Sequence, residues 1–147
     1  MTLTKHSNGG GDVESGAWVE SGAVVASGAR VASGAVVASG ARVASGAWVA
    51  SGSRAIVCGP IGSRSARLTA YWCVTPDGEG VEFVTGCFLG TGEALIAASE
   101  ETHGVDHPHT RDYAEAVALM TRLVMASLSA ETRARAEAEV DAAERGR

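Results

Sequence analysis

The sequence predicts a β-solenoid joined to a small α+β module. A six-residue repeat runs without interruption from Val13 to Arg54 and predicts the solenoid. Two segments rich in aromatic and β-branched residues and two segments with helical apolar spacing follow it, and they predict the module. The chain has 147 residues, 46% of them apolar and 20% charged, which is typical of a soluble globular protein and not of a disordered one.

The repeat consists of seven hexads, VESGAW, VESGAV, VASGAR, VASGAV, VASGAR, VASGAW and VASGSR. Around each boundary the order Ala-x-Val-Ala alternates in and out, as a strand requires, and Ser-Gly supplies a tight bend. Three bends close a triangular coil of three hexads with the valines stacked inside. A helix is excluded because a glycine recurs in every hexad, at a cost of about 1 kcal/mol each. We therefore assign residues 13–58 to the solenoid.

The hexad pattern is an aliphatic residue, a small or acidic residue, two free positions, a small residue and a free position. In this pattern the chain resembles the hexapeptide-repeat family. The resemblance implies a left-handed parallel β-helix whose subunits assemble as trimers around parallel helix axes.

Seven hexads make only about two and a third coils, so both ends and much of the flat surface of the stack would be exposed. We expect the chain to need partners, with a homotrimer preferred and a dimer left open. The outward sixth positions fall on three faces: Trp18, Val36 and Arg54; Val24 and Arg42; Arg30 and Trp48. The predicted subunit interface consists of the apolar members of this set, Trp18, Val24, Val36 and Trp48.

After Arg54 the repeat dissolves, and the segments 67–74 and 81–88 predict a β-hairpin around the turn 75–80. Leu68, Ala70, Trp72 and Val74 share one face of the first strand. The predicted module spans residues 59–128 in the order β-β-α-α.

Thr91 is the predicted cap of a helix that runs to His103, with Gly104 as its terminator. A second helix starts at Thr110 and a loop joins the two. The predicted apolar face of the second helix consists of Tyr113, Ala116, Val117, Met120, Leu123 and Val124. Residues 1–12 are predicted to be disordered, and residues 129–147 to form a charged helical tail.

Several short motifs mark the second half: G-P-I-G-S-R (59–64), L-T-A-Y (68–71), G-C-F-x-G-T (86–91), T-H-G (102–104) and R-D-Y (111–113). With these motifs the chain is similar to small bacteriophage or prophage proteins that join hexapeptide repeats to such a module. The resemblance covers about residues 13–125. It implies viral origin and an oligomer, and it supplies no activity.

Charge and composition exclude several classes of function. No long apolar segment and no secretory leader is visible, so we expect a cytoplasmic protein, in the host cell. The three cysteines lack a C-x-x-C pair and are expected to be reduced thiols. The net charge of −5 argues against non-specific nucleic-acid binding. Residues 21–76 contain five arginines and no acid, whereas residues 77–147 carry a net charge of −8, so an anionic ligand or charge-matched packing is expected at the repeat half.

A catalytic centre is not expected. Enzymes of the hexapeptide-repeat family use histidines as zinc ligands or as a general base, and no histidine lies between Ser7 and Thr102 here. A zinc site at His103, His107 and His109, with Cys87 or Asp106, remains an alternative to a solvated loop. A nucleophilic pair of Cys87 and His103 lacks a third orienting group. We predict no cofactor and no metal.

The loop G-P-I-G-S-R is the strongest candidate for a ligand site. Its glycines let backbone N–H groups approach an anion, Ser63 adds a hydroxyl, and arginines pair with phosphate. Tyr71 or Trp72 would stack on a base. The predicted ligand-binding residues are Arg54, Gly62, Ser63, Arg64, Arg67 and Tyr71. The alternative is a domain junction whose arginines neutralise the acidic helices.

These observations favour a non-catalytic, phage-type oligomeric binding protein with an anti-defence role. Its target would be a phosphorylated small molecule or nucleotide signal, held by sequestration, or a host defence protein. One alternative is a structural or interaction component of a virion. The other is a hexapeptide-repeat acyltransferase or metal-dependent enzyme.

Overall fold

The computed structural model describes residues 3–75 and 78–145. Twelve strands and three helices are found in these ranges. The strands are β1 (Leu3–Lys5), β2 (Asp12–Glu14), β3 (Trp18–Val19), β4 (Val24–Val25), β5 (Arg30–Val31), β6 (Val36–Val37), β7 (Arg42–Val43), β8 (Trp48–Val49), β9 (Arg54–Ile61), β10 (Ala66–Thr75), β11 (Gly78–Thr85) and β12 (Phe88–Thr91). The helices are α1 (Gly92–His103), α2 (Pro108–Ala126) and α3 (Ala130–Arg145).

The short strands of the repeat pair in parallel with strands three hexads further along the chain. Val13 lies opposite Val31, Val19 opposite Val37, and Val25 opposite Val43. The inward side chains form one apolar core, in which Val25, Val31, Val37, Val43 and Val49 are fully buried. Because the valines point inward once in every hexad, the repeat period alone generates this core.

The Ser-Gly corners require glycine. At Gly28 the backbone φ is +90°, a conformation that residues with a Cβ avoid. A Cβ at this position would also lie 3.0 Å from the hydroxyl oxygen of Ser45, at the corner three hexads further along the chain. Close stacking of corner on corner is therefore possible only because the side chain is missing.

The C-terminal strands close one end of the repeat. β9, β10, β11 and β12 pair antiparallel in sequence order, and β9 also pairs in parallel with β6. The resulting six-stranded sheet has the order β12-β11-β10-β9-β6-β3. The Thr69 hydroxyl accepts a hydrogen bond from the Arg42 amide at 3.0 Å, and the Tyr71 hydroxyl is 3.4 Å from the Ala44 amide. Side chains of β10 thus satisfy amides at the open edge of β7.

The opposite end of the repeat is covered by residues 3–12, which the sequence predicts to be disordered. β1 pairs antiparallel with β2. The Val25 amide donates to the Asn8 carbonyl at 3.1 Å, and the Gly11 amide donates to the Val25 carbonyl at 2.8 Å. Open strand edges provide these partners, so the segment has a physical reason to be ordered.

The helices pack on the face of the β9–β12 sheet that points away from the repeat. The predicted shared face of Leu68, Ala70, Trp72 and Val74 is confirmed, since all four belong to the core beneath the helices. α1 and α2 form most of this layer, and α3 joins it through the buried Ala136. Leu123, expected on the apolar face of α2, is instead 46% exposed. No helix in the described ranges has the length and apolar character needed to cross a bilayer.

The fold class predicted from the sequence is wrong. The prediction was a left-handed parallel β-helix followed by a β-hairpin and two helices. The structure instead has mixed sheets of twelve short strands, in which the repeat strands and the C-terminal strands share one sheet, together with three helices. The physical reason lies at β9, which leaves the hexad period and pairs on one side with a repeat strand and on the other with β10.

Candidate functional site

Two adjoining pockets lie where β10 begins and β11 ends. The helix-side pocket has a volume of about 310 Å³ and opens between these strands and the α1–α2 layer. The repeat-side pocket has a volume of about 250 Å³ and opens toward the repeat. Ala66, Thr85 and Gly86 line both pockets, so a short stretch of two strands separates them.

Three arginines line this pair of pockets. Arg64 lines the helix-side pocket, and Arg42 and Arg67 line the repeat-side pocket. The Arg42 Nη1 donates a hydrogen bond to the Gly86 carbonyl at 3.2 Å, which ties the repeat to the end of β11. The Arg67 side chain lies across the turn at Gly40, where a Cβ would be 3.2 Å from its Nε.

The positive charge of these arginines is not compensated nearby. All three side chains are exposed, and none of them forms a salt bridge within the described residues. No Asp or Glu is among the described residues that line either pocket. Three guanidinium groups around two concave surfaces are therefore suited to an anionic ligand.

The loop before Arg64 is shaped by a close contact between Gly62 and Tyr113. Gly62 has φ +79°, and a Cβ there would overlap the Tyr113 hydroxyl. The next turn is closed by a hydrogen bond of 3.1 Å from the Ser65 amide to the Gly62 carbonyl. This turn holds Ser63 and Arg64 at the rim of the helix-side pocket.

Tyr113 forms part of the wall of the same pocket. Burial raises the pKa of its phenol, while the positive charge of Arg64 acts to lower it, and the net pKa is above the ordinary value of 10. The hydroxyl is thus neutral near pH 7 and is able to donate a hydrogen bond to a bound anion.

β12 and α1 also contribute residues to the lining of the helix-side pocket. Phe88 and Leu95 make it apolar, and Cys87, Ser99 and His103 add polar atoms. The mixture of apolar walls with a few polar groups is typical of small-molecule sites.

His103 is also part of a cluster with His107 and His109 at the junction of α1 and α2. The ring centroids are 4.9 Å apart for His103 and His107, 5.2 Å for His103 and His109, and 4.8 Å for His107 and His109. Within the described part of the chain, no group of three or more His, Cys, Asp or Glu side chains is arranged to hold a metal ion. This geometry therefore does not support a zinc centre.

The structure brings some of the predicted ligand-binding residues together. Ser63 and Arg64 line the helix-side pocket, Arg67 lines the repeat-side pocket, and Gly62 lies beneath Tyr113. Arg54 lies opposite Val36 on the six-stranded sheet and lines neither pocket.

Tyr71 is misassigned as a ligand-binding residue. Its side chain is fully buried and faces the repeat core, so it has no surface on which a base could stack. Its hydroxyl donates to the Glu82 carboxylate, and the Cys73 Sγ lies 3.9 Å from the same carboxylate. Burial, reinforced by the negative charge of Glu82, raises the pKa of both the Tyr71 phenol and the Cys73 thiol, the latter to about 11. The Tyr71 and Cys73 side chains are thus held in the interior by a partly buried carboxylate.

Sequence reasoning missed Arg42 and Tyr113 as members of the site. Arg42 belongs to the repeat and reaches the pocket only because β10 lies next to β7. Tyr113 fits the helical apolar pattern and therefore resembles a core residue. The available signal was the absence of acids from residues 21–76, which places all three arginines in one uncompensated segment.

The four predicted interface residues occupy different environments. Trp18 is 67% exposed and Val36 is 37% exposed, and they lie directly opposite each other in neighbouring strands. Val24 lines the repeat-side pocket. Trp48 is half-buried against the core beneath the helices, with the Arg30 guanidinium 4.9 Å above its ring.

Comparisons with protein-family models, with curated proteins and with solved structures found no match to this chain.

Proposed function

We propose that the protein is a non-catalytic, oligomeric binding protein that captures an anionic small molecule, with a phosphorylated metabolite or nucleotide signal as the intended class. One observation carries the proposal: Arg42, Arg64 and Arg67 surround two adjoining pockets that no carboxylate of the described residues lines. Capture needs only complementary charge and shape, and both are features of these pockets.

Phosphate is favoured over a carboxylate because the site offers several cations. A guanidinium group pairs with phosphate through two parallel hydrogen bonds, and each hydrogen bond to a charged group contributes about 1.5–3 kcal/mol. In the repeat-side pocket, Arg42 and Arg67 supply two guanidinium groups for the charged oxygens of the two phosphates of a pyrophosphate, and Arg64 supplies one in the helix-side pocket. A single carboxylate would leave most of this positive charge unused.

An apolar ring on the ligand would fit the helix-side pocket. Phe88 and Leu95 give it apolar lining, and Tyr113 and Arg64 line the same pocket. The volume of about 310 Å³ is at the lower end of the range for small-molecule pockets, about 300–1,000 Å³. In this proposal Phe88 or Tyr113 takes the stacking role that the buried Tyr71 does not fill.

We further propose that the protein acts as a homotrimer in the cytoplasm of a bacterial host, where sequestration of a signal would counter a defence pathway. The exposed Trp18 and Val36 support the oligomer, because an indole and an aliphatic side chain adjacent on a flat sheet favour association. The motifs within residues 59–113 that resemble those of phage proteins support a bacterial host as the setting.

The proposal is tested with protein purified without denaturation. Intact-complex mass spectrometry measures the subunit number and any molecule that co-purifies, and calorimetry measures affinity for inorganic pyrophosphate. A trimer that releases a phosphorylated compound on heating is the expected result. Loss of two arginines in Arg64→Gln with Arg67→Gln should weaken pyrophosphate binding at least tenfold.

The control for this variant is Arg122→Gln with Arg135→Gln. Both of these arginines are exposed on helices and line neither pocket, so the variant removes the same charge elsewhere. Equal weakening in the two variants would reduce the effect to net charge and contradict a defined site.

The alternative function is a structural or interaction component of a virion. The exposed Trp18 favours it, because a large indole with 67% of its surface exposed needs a partner. Assembly into particles with no bound small molecule would support this alternative. Stoichiometric zinc in the purified protein would instead point to a metal-dependent enzyme.

A further inference from the structure

The junction between α1 and α2 concentrates three titratable rings at two helix ends. His103 is the last residue of α1, His107 is the N-cap of α2, and His109 is in the first turn of α2. Each pair of ring centroids is separated by no more than 5.2 Å. Such a cluster is stable only while most of the rings are neutral, because imidazolium groups at this spacing repel one another.

The cap itself depends on a neutral ring. The His107 Nδ1 accepts a hydrogen bond of 3.1 Å from the His109 amide. Pro108, the first residue of α2, has no N–H, so the His109 amide is the first donor of the helix. A protonated imidazole has two N–H donors and no acceptor, so it is unable to accept this hydrogen bond.

The surrounding groups do not favour a positive charge on His107. His103 faces it from α1 and His109 from α2, and both add positive charge on protonation. The N-terminus of a helix carries a partial positive charge, which also opposes a cation there. Asp106, the residue before it, is exposed in the connecting loop.

Other charged and titratable groups face the neighbours of His107. Those that line the helix-side pocket with His103 are Arg64, Cys87 and Tyr113, and those that line a groove with His109 are Cys58, Asp112 and Glu115. The two carboxylates thus lie on the side of His109 and not beside His107.

We propose that the three histidines form an acid-sensitive latch, in which proton uptake by His107 breaks the cap of α2 and loosens the junction between α1 and α2. The remaining contacts at the junction are neutral. Thr110 donates to the Gly104 carbonyl at 2.8 Å and shares a hydrogen bond of 2.9 Å with Ser99. These hydrogen bonds hold the junction in its closed state, and protonation of the His107 ring determines the pH at which the junction opens.

The pH range follows from the direction of the pKa shift. Partial burial and the charges of His103 and His109 hold the pKa of His107 below its ordinary value of 6.5. The folded junction therefore binds the proton less well than the unfolded segment does. Its stability is fully present above pH 6.5 and is lost as the pH falls through the lowered folded value.

The latch is tested by amide hydrogen exchange on the full chain between pH 7.5 and 5.0, with rates corrected for the intrinsic effect of pH. Protection of the His109 amide, which donates to the His107 Nδ1, and of the Arg111 amide, which donates to the His107 carbonyl at 3.1 Å, should fall at least tenfold across this range. Amides of β10 should stay protected, which separates opening of the junction from acid unfolding. The measurement does not involve a ligand, so its failure is distinguishable from failure of anion binding.

The matched variant is His107→Asn. Asparagine is a good N-cap that accepts the same hydrogen bond and does not titrate in this range. Protection in His107→Asn should change less than twofold between pH 7.5 and 5.0. Should this variant fail to fold at pH 7.5, His107→Asp replaces it, since aspartate also caps and stays ionised above pH 5.

Two outcomes would overturn the latch. The first is protection of the His109 and Arg111 amides that is independent of pH in the natural protein. The second is the same tenfold loss in the capped, non-titrating variant, which would assign the response to other groups.

Discussion

Gly62 illustrates at the scale of one residue how the candidate site is built. Its positive φ turns the chain between Ile61 and Ser63, and the absence of a Cβ leaves room for the Tyr113 hydroxyl. The backbone of Gly62 therefore positions Arg64, and the space left by its missing side chain positions Tyr113 in the pocket wall. A glycine that meets both conditions is more constrained than one that only forms a turn.

Substitution of Gly62 by alanine tests this double role. Gly62→Ala should lower the free energy of unfolding by about 1–3 kcal/mol from the strained φ alone, and it should also displace Tyr113. Urea denaturation measures the first effect, and pyrophosphate affinity measures the second. Gly80→Ala is the control, because a Cβ at Gly80 meets nothing within 4 Å and its φ is not positive. Equal stability of the two variants would contradict the close contact.

At the scale of elements, β10 is the strand on which the architecture depends. One of its faces packs under the helices, and the other covers the end of the repeat through Thr69 and Tyr71. Residues 68–74 of β10 are buried on both faces, and this explains why Tyr71 is not a surface residue.

The cap that β10 provides for β7 is tested by Thr69→Val. Valine has nearly the shape of threonine but leaves the Arg42 amide without its acceptor, at an expected cost of about 1–3 kcal/mol. Thr69→Ser keeps the oxygen and should cost less than Thr69→Val. Thermal or urea denaturation compares the two, and a more stable valine variant would show that water satisfies the amide.

A second element-scale contact joins β2 to β5. The Glu14 carboxylate, which is largely buried, pairs with the Arg30 Nη2 at 2.6 Å and accepts a hydrogen bond from the Ser33 amide at 3.1 Å. Burial opposes ionisation of Glu14, but the hydrogen bonds from Ser33 and Arg30 outweigh it, and the pKa of Glu14 is below 4.5.

This pair gives a pH-dependent contribution to stability. Because the folded pKa of Glu14 is lowered, its contribution is fully present above pH 4.5 and is lost as the pH falls through the folded value. Glu14→Gln should therefore be less stable than the natural protein at pH 7, by about 1–3 kcal/mol, and the difference should shrink at pH 3. Urea denaturation at both pH values measures it. A difference that is independent of pH would mean that shape, not charge, matters at this position.

At the scale of the whole molecule, the repeat core and the core beneath the helices meet across one sheet. The repeat core contains the stacked valines, and Tyr71, Cys73 and Val84 extend it onto the C-terminal strands. Damage to the valine stack should therefore affect the whole chain. The two cores are not expected to unfold independently.

Val31→Asp tests this coupling. Val31 is fully buried, and a carboxylate there would have no partner in an apolar interior. We expect loss of both the repeat and the helical layer, seen as loss of circular dichroism at wavelengths for strand and for helix together. A variant that keeps its helices would show that the C-terminal strands and helices fold alone.

The sequence predicts well which residues of a repeating pattern point inward, but it predicts poorly how the repeat ends. The hexads predict which residues point inward, and the alternation in 67–74 predicts the face that contacts the helices. The predicted fold class is nevertheless wrong, because the end of the repeat is set by pairing between distant strands, β10 with β9 and β10 side chains with β7. Nothing local in the hexads encodes where pairing changes from parallel to antiparallel.

The candidate site shows the same division. Ser63, Arg64 and Arg67 lie in one short segment, so the sequence predicts them together. Arg42 joins them through a hydrogen bond with Gly86, 44 residues away, and no local pattern predicts such a contact. Tyr71 is misassigned because the sequence does not show what packs against its face of β10. In the structure the repeat packs there and buries the Tyr71 side chain.

The spacing of three hexads between paired repeat strands restricts how this chain can change its length. Insertion of one hexad between β7 and β9 would change which strands pair after it, and Arg42 would lose its place beside Arg67. Insertion of three hexads at the same place would put a new repeat strand against β7, on the edge that Thr69 and Tyr71 of β10 cover. The number of repeats is therefore expected to vary without damage to the candidate site only on the N-terminal side of β4, whose Val24 also lines the repeat-side pocket.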